Sequence, residues 1–228
     1  MIKLLIFDLD GTLADTSHDI TDSINFALEP FGNKPYPVEE IKAMVGSGIT
    51  SLLRSLTRSD DHAKTGNSER NRFEIAAKRF LDFYSAHLLD QTVAYPGVKE
   101  TLLKLGHYKK TVLSNKREEY SIKILAGLDI LDSLNAVYGS DSLSEKKPSP
   151  VPVLEILDRF TVSCDEAVII GDSDFDIKAA RAAGLRSIAV TYGFRSREKL
   201  KDADFMINSF EELLKILPEI KHREHREI

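Results

Sequence analysis

The stretch that decides the fold reads LLIFDLDGTLADT and covers residues 4–16. Residues 4–7 are apolar without interruption, a pattern typical of a strand that is buried on both faces. The run ends in the sequence DLDGT at residues 8–12, which places two carboxylates, a glycine and a threonine directly after the apolar residues. Because ligands of parallel sheets bind beyond the carboxyl ends of the strands, this stretch predicts a polar binding site after the first strand.

Similar short apolar runs recur in the second half of the chain. The first strand is predicted at residues 2–7. The later apolar runs lie at residues 111–113, 136–138, 167–170, 187–190 and 205–207. Stretches with helical spacing of apolar residues separate them, so that strand and helix alternate from residue 92 onward. This alternation predicts an α/β fold whose core is a Rossmann-like parallel sheet with helices on both faces.

Residues 16–91 have a different pattern. Their apolar residues recur at helical spacing in three groups, and a polar stretch at 57–71 separates the last two groups. That polar stretch predicts a solvated loop, although it could also contact a ligand. The chain is therefore predicted to hold an α/β core in residues 1–15 and 92–228, with an inserted all-α helical cap at 16–91.

Composition and charge limit the class of protein. The 228 residues are 42% hydrophobic and 29% charged, as in ordinary globular proteins rather than disordered or fibrous ones. A formal net charge of −5 argues against a nucleic-acid partner, and the single cysteine, Cys164, excludes an intramolecular disulfide framework. No apolar window approaches the length of a membrane span, and no targeting segment is recognisable. We therefore expect a cytoplasmic protein that binds neither membranes nor nucleic acid.

Polar residues follow several of the predicted strands. Asp8 and Asp10 follow the first strand, residues 114–116 read SNK after the second, a loop after the third carries Lys147, and residues 172–176 read DSDFD after the fourth. If these strands are neighbours, the carboxylates converge and cannot all stay ionised without a cation. Oxygen ligands without histidine or cysteine favour Mg²⁺, and hydroxyl and lysine donors beside them match phosphate oxygens. The set predicts phosphoryl transfer at a Mg²⁺ site.

Each of these patterns also has a structural explanation when it is taken alone. The DLDGT stretch fits a turn, Ser114 and Asn115 fit the start of a helix, and Lys147 fits an exposed loop. Residues 171–176 fit the N-terminal cap of the helix that follows them. Their order at successive strand ends favours one shared site over four independent structural features.

The same motifs resemble those of the haloacid dehalogenase-like superfamily. That family's pattern of Asp-x-Asp-Gly-Thr, a Ser or Thr after the second strand, a downstream Lys and Gly-Asp-Ser-x-x-Asp is matched at residues 8–12, 114, 147 and 171–176. Within the superfamily the chain is most similar to the phosphoglycolate phosphatase group, through the VGSG turn at 45–48, the SNK at 114–116 and the inserted helical cap. The resemblance covers most of the chain.

The resemblance implies a role for each acidic residue. Asp8 would be the nucleophile that becomes an aspartyl phosphate, and Asp10 would protonate the leaving oxygen and then activate the attacking water. Mg²⁺ would be bound by Asp8, the backbone carbonyl of Asp10 and Asp172. Asp176 would support these metal ligands or orient Lys147.

The resemblance also implies which residues bind the substrate. The predicted phosphate-binding residues are Gly11, Thr12, Ser114, Asn115 and Lys147. The turn Gly46-Ser47-Gly48 is expected to face the active site when the cap closes, and Lys42 and Arg54 are candidates for binding a substrate carboxylate. An ordinary helix-to-helix turn and solvated side chains explain these cap residues as well.

The resulting hypothesis is a Mg²⁺-dependent phosphatase that hydrolyses a small phosphorylated metabolite, with phosphoglycolate as the first candidate. Members of the superfamily with these motifs also include pyrophosphatases and phosphomutases of the β-phosphoglucomutase type, which would use the same scaffold. The non-enzymatic alternative is a receiver-like signalling module that binds a phosphoryl group without turnover. Such a module would need neither a helical cap nor Gly-Thr directly after the acidic pair.

Overall fold

The computed structural model of the protein describes residues 1–58 and 66–220. The chain divides into two compact units: one is made of Met1–Asp15 with the chain from Ala94 onward, and the other of Thr16–Val93. We call them the sheet unit and the helical unit. The chain returns to the sheet unit two residues beyond the boundary expected from the sequence. Across the two described ranges, each helix is too short or too polar to span a lipid bilayer.

The sheet unit is built on parallel strands, as the α/β prediction requires. In chain order the strands are β1 (Leu4–Phe7), β2 (Ala14–Asp15), β3 (Val93–Ala94), β4 (Lys109–Leu113), β5 (Ala136–Tyr138), β6 (Ala167–Gly171), β7 (Arg186–Val190) and β8 (Phe205–Ile207). Among the described residues, six of these strands form one parallel sheet in the order β5-β4-β1-β6-β7-β8. Strand β1 is therefore central, with β4 and β6 as its neighbours.

Helices alternate with the strands of the sheet unit and make up the other unit. In chain order they are α1 (Ser17–Leu28), α2 (Val38–Met44), α3 (Ile49–Thr57), α4 (Gly66–Ala86), α5 (Val98–Lys104), α6 (Glu118–Gly127), α7 (Val151–Phe160), α8 (Asp174–Ala182) and α9 (Leu213–Ile216). Short 3₁₀ turns at Glu29–Phe31, Leu131–Ser133, Cys164–Glu166, Arg197–Leu200, Phe210–Glu212 and Leu217–Glu219 join several of these elements. The predicted Rossmann-like α/β architecture is confirmed.

Both faces of β1 are buried, which explains its unbroken apolar sequence. On one face, Leu4 and Ile6 belong to a core that also contains Ile156 of α7 and Ala180 of α8. On the other face, the ring of Phe7 lies 5.6 Å from the ring of Phe210. A strand covered on both sides is fixed firmly, so the residues that follow it start from a well-defined position.

Among its described residues, the helical unit contains the helices α1 to α4, in agreement with the helical periodicity of its sequence. Helix α1 packs against α4, where Ile24 of α1 and Phe80 and Tyr84 of α4 are buried. The carboxylate of Asp19 on α1 accepts hydrogen bonds from Gln91 N at 3.0 Å, Thr92 N at 2.9 Å and Thr92 Oγ1 at 2.7 Å. Asp19 thus joins the beginning and the end of this unit.

The prediction of a loop at residues 57–71 is wrong in part. Helix α4 begins at Gly66, while residues 59–65 lie outside the described residues. The first turns of α4 are polar, so they carry no apolar period that would reveal a helix. The ion pair between Arg70 and Glu74, 3.0 Å long and one turn apart, supports the helix there instead.

Candidate active site

Three carboxylates meet beyond the carboxyl ends of β1 and β6. Asp8 directly follows β1, Asp172 directly follows β6, and Asp176 lies in the first turn of α8. Each offers a carboxylate oxygen, and these atoms all lie within 4.8 Å of one another. All three side chains are buried, with 8%, 2% and 1% of each residue exposed. The structure therefore brings these predicted residues together, as the parallel pairing of neighbouring strands requires.

Lys147 joins two of these carboxylates. Its Nζ lies 2.9 Å from Asp8 Oδ1 and 2.6 Å from Asp176 Oδ1, and its side chain is almost fully buried. The backbone carbonyl of Lys147 accepts a hydrogen bond of 2.8 Å from Asn115 Nδ2, and the Lys147–Pro148 peptide bond is cis. Asn115 thus holds the lysine loop against the end of β4, while its predicted contact with phosphate stays a prediction.

Asp176 serves the helix and the site at the same time. Its Oδ2 accepts hydrogen bonds from Ser173 N at 3.1 Å and Ser173 Oγ at 2.6 Å, which completes a capping box at the start of α8. Its Oδ1 binds Lys147. The capping explanation of the sequence at 171–176 therefore holds, while the role of these residues in the site stays a prediction. The cap holds one carboxylate oxygen of Asp176, and Lys147 meets the other.

Burial dominates the electrostatics of the cluster. It raises the pKa of Asp8 to about 7, against the attraction of Lys147 and with the repulsion of Asp176 and Asp10. It also raises the pKa of Asp172 well above its usual range, helped by Asp8 and Asp176. Burial alone would lower the pKa of Lys147, but Asp176 and Asp8 outweigh it, so the net shift is upward.

This donor set fits a hard divalent cation. The oxygens are close together and buried, and burial raises the pKa values of Asp8 and Asp172, so a bound cation would offset the cost of ionising these carboxyl groups. Carboxylate oxygens without nitrogen or sulfur ligands match the preference of Mg²⁺.

The loop after β7 packs closely around Asp172. Phe194 N donates a hydrogen bond of 2.6 Å to Asp172 Oδ2. A Cβ placed on Gly11 would lie 2.2 Å from that oxygen, and one placed on Gly193 would lie 2.3 Å from Asp172 Cβ, so a side chain at either position would displace the carboxylate. Gly11 also has a φ of +83°, which favours glycine. These glycines allow the backbone to enclose Asp172.

The other predicted phosphate-binding residues lie near the ends of β1 and β4. Ser114 is buried and its N donates to Tyr138 O at 2.9 Å. Thr12 is fully buried, and its Oγ1 has no hydrogen-bond partner among the described residues. Its carbonyl accepts a hydrogen bond of 3.0 Å from Tyr192 Oη. A buried hydroxyl without a partner is costly, so Thr12 is suited to a polar ligand.

The predicted residues of the helical unit lie in α2, in α3 and in the turn between these two helices. Gly46, Ser47 and Gly48 connect α2 to α3, and the glycines have φ values of 132° and 89°. Lys42 Nζ lies 3.6 Å from Glu39, and the guanidinium of Arg54 lies 4.5 Å from the centre of the Phe73 ring. The predicted roles of these residues toward a substrate stay predictions.

The structure adds residues that the sequence patterns did not assign to the site. Lys116 Nζ lies 2.6 Å from Asp10 Oδ1, a contact that the SNK pattern at 114–116 does not predict. Arg195 is buried and opposes the rise in the pKa of Asp172. The glycine directly after Tyr192 is the sequence signal that could have identified this loop, since a strand end followed by glycine permits close approach of the backbone.

Comparisons with known proteins agree with this geometry. The family model for haloacid dehalogenase-like hydrolases matches residues 5–190. A phosphoglycolate phosphatase from Chromobacterium violaceum is 35% identical over 218 residues, covering 95% of this chain and 96% of that protein. One from Nitrosospira multiformis is 34% identical over 221 residues, covering 95% and 96%.

The fold is shared with a solved structure as well. The crystal structure of a predicted phosphoglycolate phosphatase from Haemophilus somnus superimposes with a TM-score of 0.84 at 28% identity, covering 95% of this chain and 98% of that one. Sequence family, fold and the arrangement of acidic residues agree. The chain is a phosphoric monoester hydrolase and belongs to the haloacid dehalogenase-like hydrolase family.

Proposed function

We propose that this protein is a Mg²⁺-dependent phosphatase that hydrolyses a small phosphorylated metabolite through an aspartyl phosphate on Asp8. The observation that carries the proposal is the buried group of Asp8, Asp172, Asp176 and Lys147 beyond the sheet. Phosphoglycolate is the proposed substrate, because two relatives named phosphoglycolate phosphatase are 34–35% identical to this chain over nearly its whole length.

In this mechanism Asp8 attacks phosphorus while the bond to the leaving oxygen breaks. Asp10 gives a proton to that oxygen, so the product leaves as an alcohol and the phosphoryl group stays on Asp8. Water then attacks the aspartyl phosphate and gives its proton to Asp10, which restores both carboxyl groups. Lys147, the Ser114 hydroxyl and the backbone at Gly11 and Thr12 bind the phosphoryl oxygens, with Asn115 supporting Lys147.

The proposed metal ligands are Asp8, the backbone carbonyl of Asp10 and Asp172, with Asp176 beside them. When bound, Mg²⁺ supplies positive charge for the carboxylates and for the phosphoryl oxygens. The protein's own contribution is to hold its ligands in place: Phe194 N binds Asp172, and the Ser173 cap holds Asp176. Lys147 lies within ion-pair distance of both Asp8 and Asp176. We therefore propose that its positive charge balances these two carboxylates, besides binding the phosphate.

We also propose that the helical unit is a cap that determines substrate choice. Its sequence is inserted directly after the loop that carries Asp8 and Asp10, so movement of the unit would act on the chain beside the nucleophile. Gly46, Ser47 and Gly48 are the proposed substrate-facing turn. Closure of a cap excludes water until the alcohol has left.

The test is phosphate release from phosphoglycolate, pyrophosphate and several sugar phosphates, each with Mg²⁺ and with EDTA. Selective release from phosphoglycolate that stops with EDTA supports the proposal. Selective release from pyrophosphate would assign a pyrophosphatase, and transfer of the group between positions of a sugar would assign a phosphomutase. A stable phosphoprotein without turnover would favour the signalling alternative.

The effect of Mg²⁺ on thermal stability is expected to depend on pH. Without metal, Asp8 has a folded-state pKa of about 7, above its ordinary value of 3.8, so its contribution to stability decreases as pH rises between these values. Mg²⁺ competes with the proton for this site, so we expect a larger rise in melting temperature at pH 8 than at pH 5.5. Differential scanning fluorimetry with Mg²⁺ and with Ca²⁺ measures this, and equal rises at the two pH values would contradict it.

A further inference from the structure

We propose that Lys116 is a positioning residue that holds the carboxylate of Asp10 for proton transfer, an inference that rests on the proposed function. Lys116 Nζ lies 2.6 Å from Asp10 Oδ1, and both side chains lie within the sheet unit. The lysine follows β4, while Asp10 follows β1, the neighbouring strand. The ion pair therefore links two adjacent strand ends at the site of reaction.

This pair differs from the ion pairs on the protein surface. Only 7% of the Lys116 side chain and 12% of the Asp10 side chain are exposed. In the pair Lys178–Asp174 on α8, by contrast, 63% and 31% are exposed. Exposed pairs restrict a side chain weakly, because water competes for both partners and the chains remain free to move. The largely buried pair of Lys116 and Asp10 gives Asp10 a defined orientation.

The backbone of Lys116 is itself held on both sides. Its N donates a hydrogen bond of 3.2 Å to Ser114 Oγ, and its carbonyl accepts one of 2.8 Å from Ser140 N. The ammonium group is therefore presented from a fixed loop rather than from a mobile one. A proton-transfer group must lie within hydrogen-bond reach of its target, so a fixed partner preserves the geometry that Asp10 needs.

Lys147 and Lys116 divide the acidic residues of the site between them. Lys147 binds Asp8 and Asp176, whereas Lys116 binds Asp10. Lys147 would then act on the nucleophile Asp8 and on the phosphoryl group, whereas Lys116 would act on Asp10, the proposed acid and base. Loss of Lys116 should therefore slow the reaction of substrates whose leaving oxygen must receive a proton, and should leave the reaction of other substrates nearly unchanged.

Leaving groups that differ in their need for a proton separate these effects. Phosphoglycolate releases an alcohol and needs the proton, while acetyl phosphate and 4-nitrophenyl phosphate release stable anions. The value of kcat/KM reports the first chemical step, before water attacks the phosphoenzyme. For Lys116→Met we expect kcat/KM for phosphoglycolate to fall by about 10- to 100-fold, with a change of less than about threefold for whichever activated substrate the wild type accepts best.

Two further variants make the test decisive. Lys116→Arg keeps the charge with a different shape, so its loss of selectivity should be intermediate, and it replaces Lys116→Met if that variant does not fold. Lys178→Met removes an exposed lysine from an ion pair and should match the wild type. If Lys116→Met left the ratio of kcat/KM for phosphoglycolate to kcat/KM for the activated substrate unchanged, the positioning role would be overturned. Absence of all turnover in the wild type would instead refute the proposed phosphatase function.

Discussion

Asp8→Asn is expected to lower phosphate release by at least about a thousandfold, because the amide cannot form the aspartyl phosphate. The same change should stabilise the metal-free protein at pH 8. Burial disfavours the ionised carboxylate of Asp8, with its pKa raised to about 7, and a neutral amide removes that cost. The Asn oxygen can still accept from Leu9 N and Lys147, which now meet Asp8 Oδ1 at 2.7 and 2.9 Å.

Steady-state phosphate release and thermal unfolding, each in EDTA and in Mg²⁺, test both parts of this expectation. Asp202→Asn is a suitable control, since the Asp202 side chain is 65% exposed and pairs only loosely with Arg181 at 4.0 Å. It should change neither quantity. Retention of more than about a tenth of the activity in Asp8→Asn would rule out Asp8 as the nucleophile. A lower melting temperature without metal would contradict the proposed cost of burying its charge.

Lys147→Met is expected to cause the largest loss of stability, about 3–5 kcal/mol, besides abolishing measurable activity. Methionine fills a similar volume but leaves Asp8 and Asp176 buried without the ammonium group that now lies 2.9 and 2.6 Å from them. The remaining carboxylates would then repel one another more strongly. The destabilisation should be smaller at pH 5.5 than at pH 8, because protons can neutralise the carboxylates in place of the lysine.

Urea unfolding of the metal-free protein at the two pH values measures this effect. Lys123→Met serves as the control, since Lys123 forms an exposed ion pair of 2.6 Å with Glu119 and its removal should change the stability little. A loss in Lys147→Met that is no larger than in the control would show that the buried pair contributes little net stability. The prediction would also fail if the loss did not depend on pH.

The sequence predicted the sheet and the acidic cluster well because both depend on local patterns. Each strand of the six-stranded sheet was visible as an apolar run, whereas the two-residue strands β2 and β3, which pair with each other, were not. The polar residues directly after β1 and β6 had to meet once those strands paired. The start of α4 was missed because its first turns lack apolar residues. The pairing of Lys116 with Asp10 was not predicted, because this contact depends on the path of the loop after β4 and not on the strand pairing alone.

The central place of β1 has a consequence for how the chain is made. Its neighbours, β4 and β6, begin at Lys109 and Ala167, so neither exists when β1 leaves the ribosome. At a translation rate of about 5–20 residues per second, β1 waits on the order of ten seconds for its first partner. The helical unit is contiguous in sequence and is complete before then. Throughout that interval, the segment that carries Asp8 is an unpaired apolar strand whose folding depends on residues not yet synthesised.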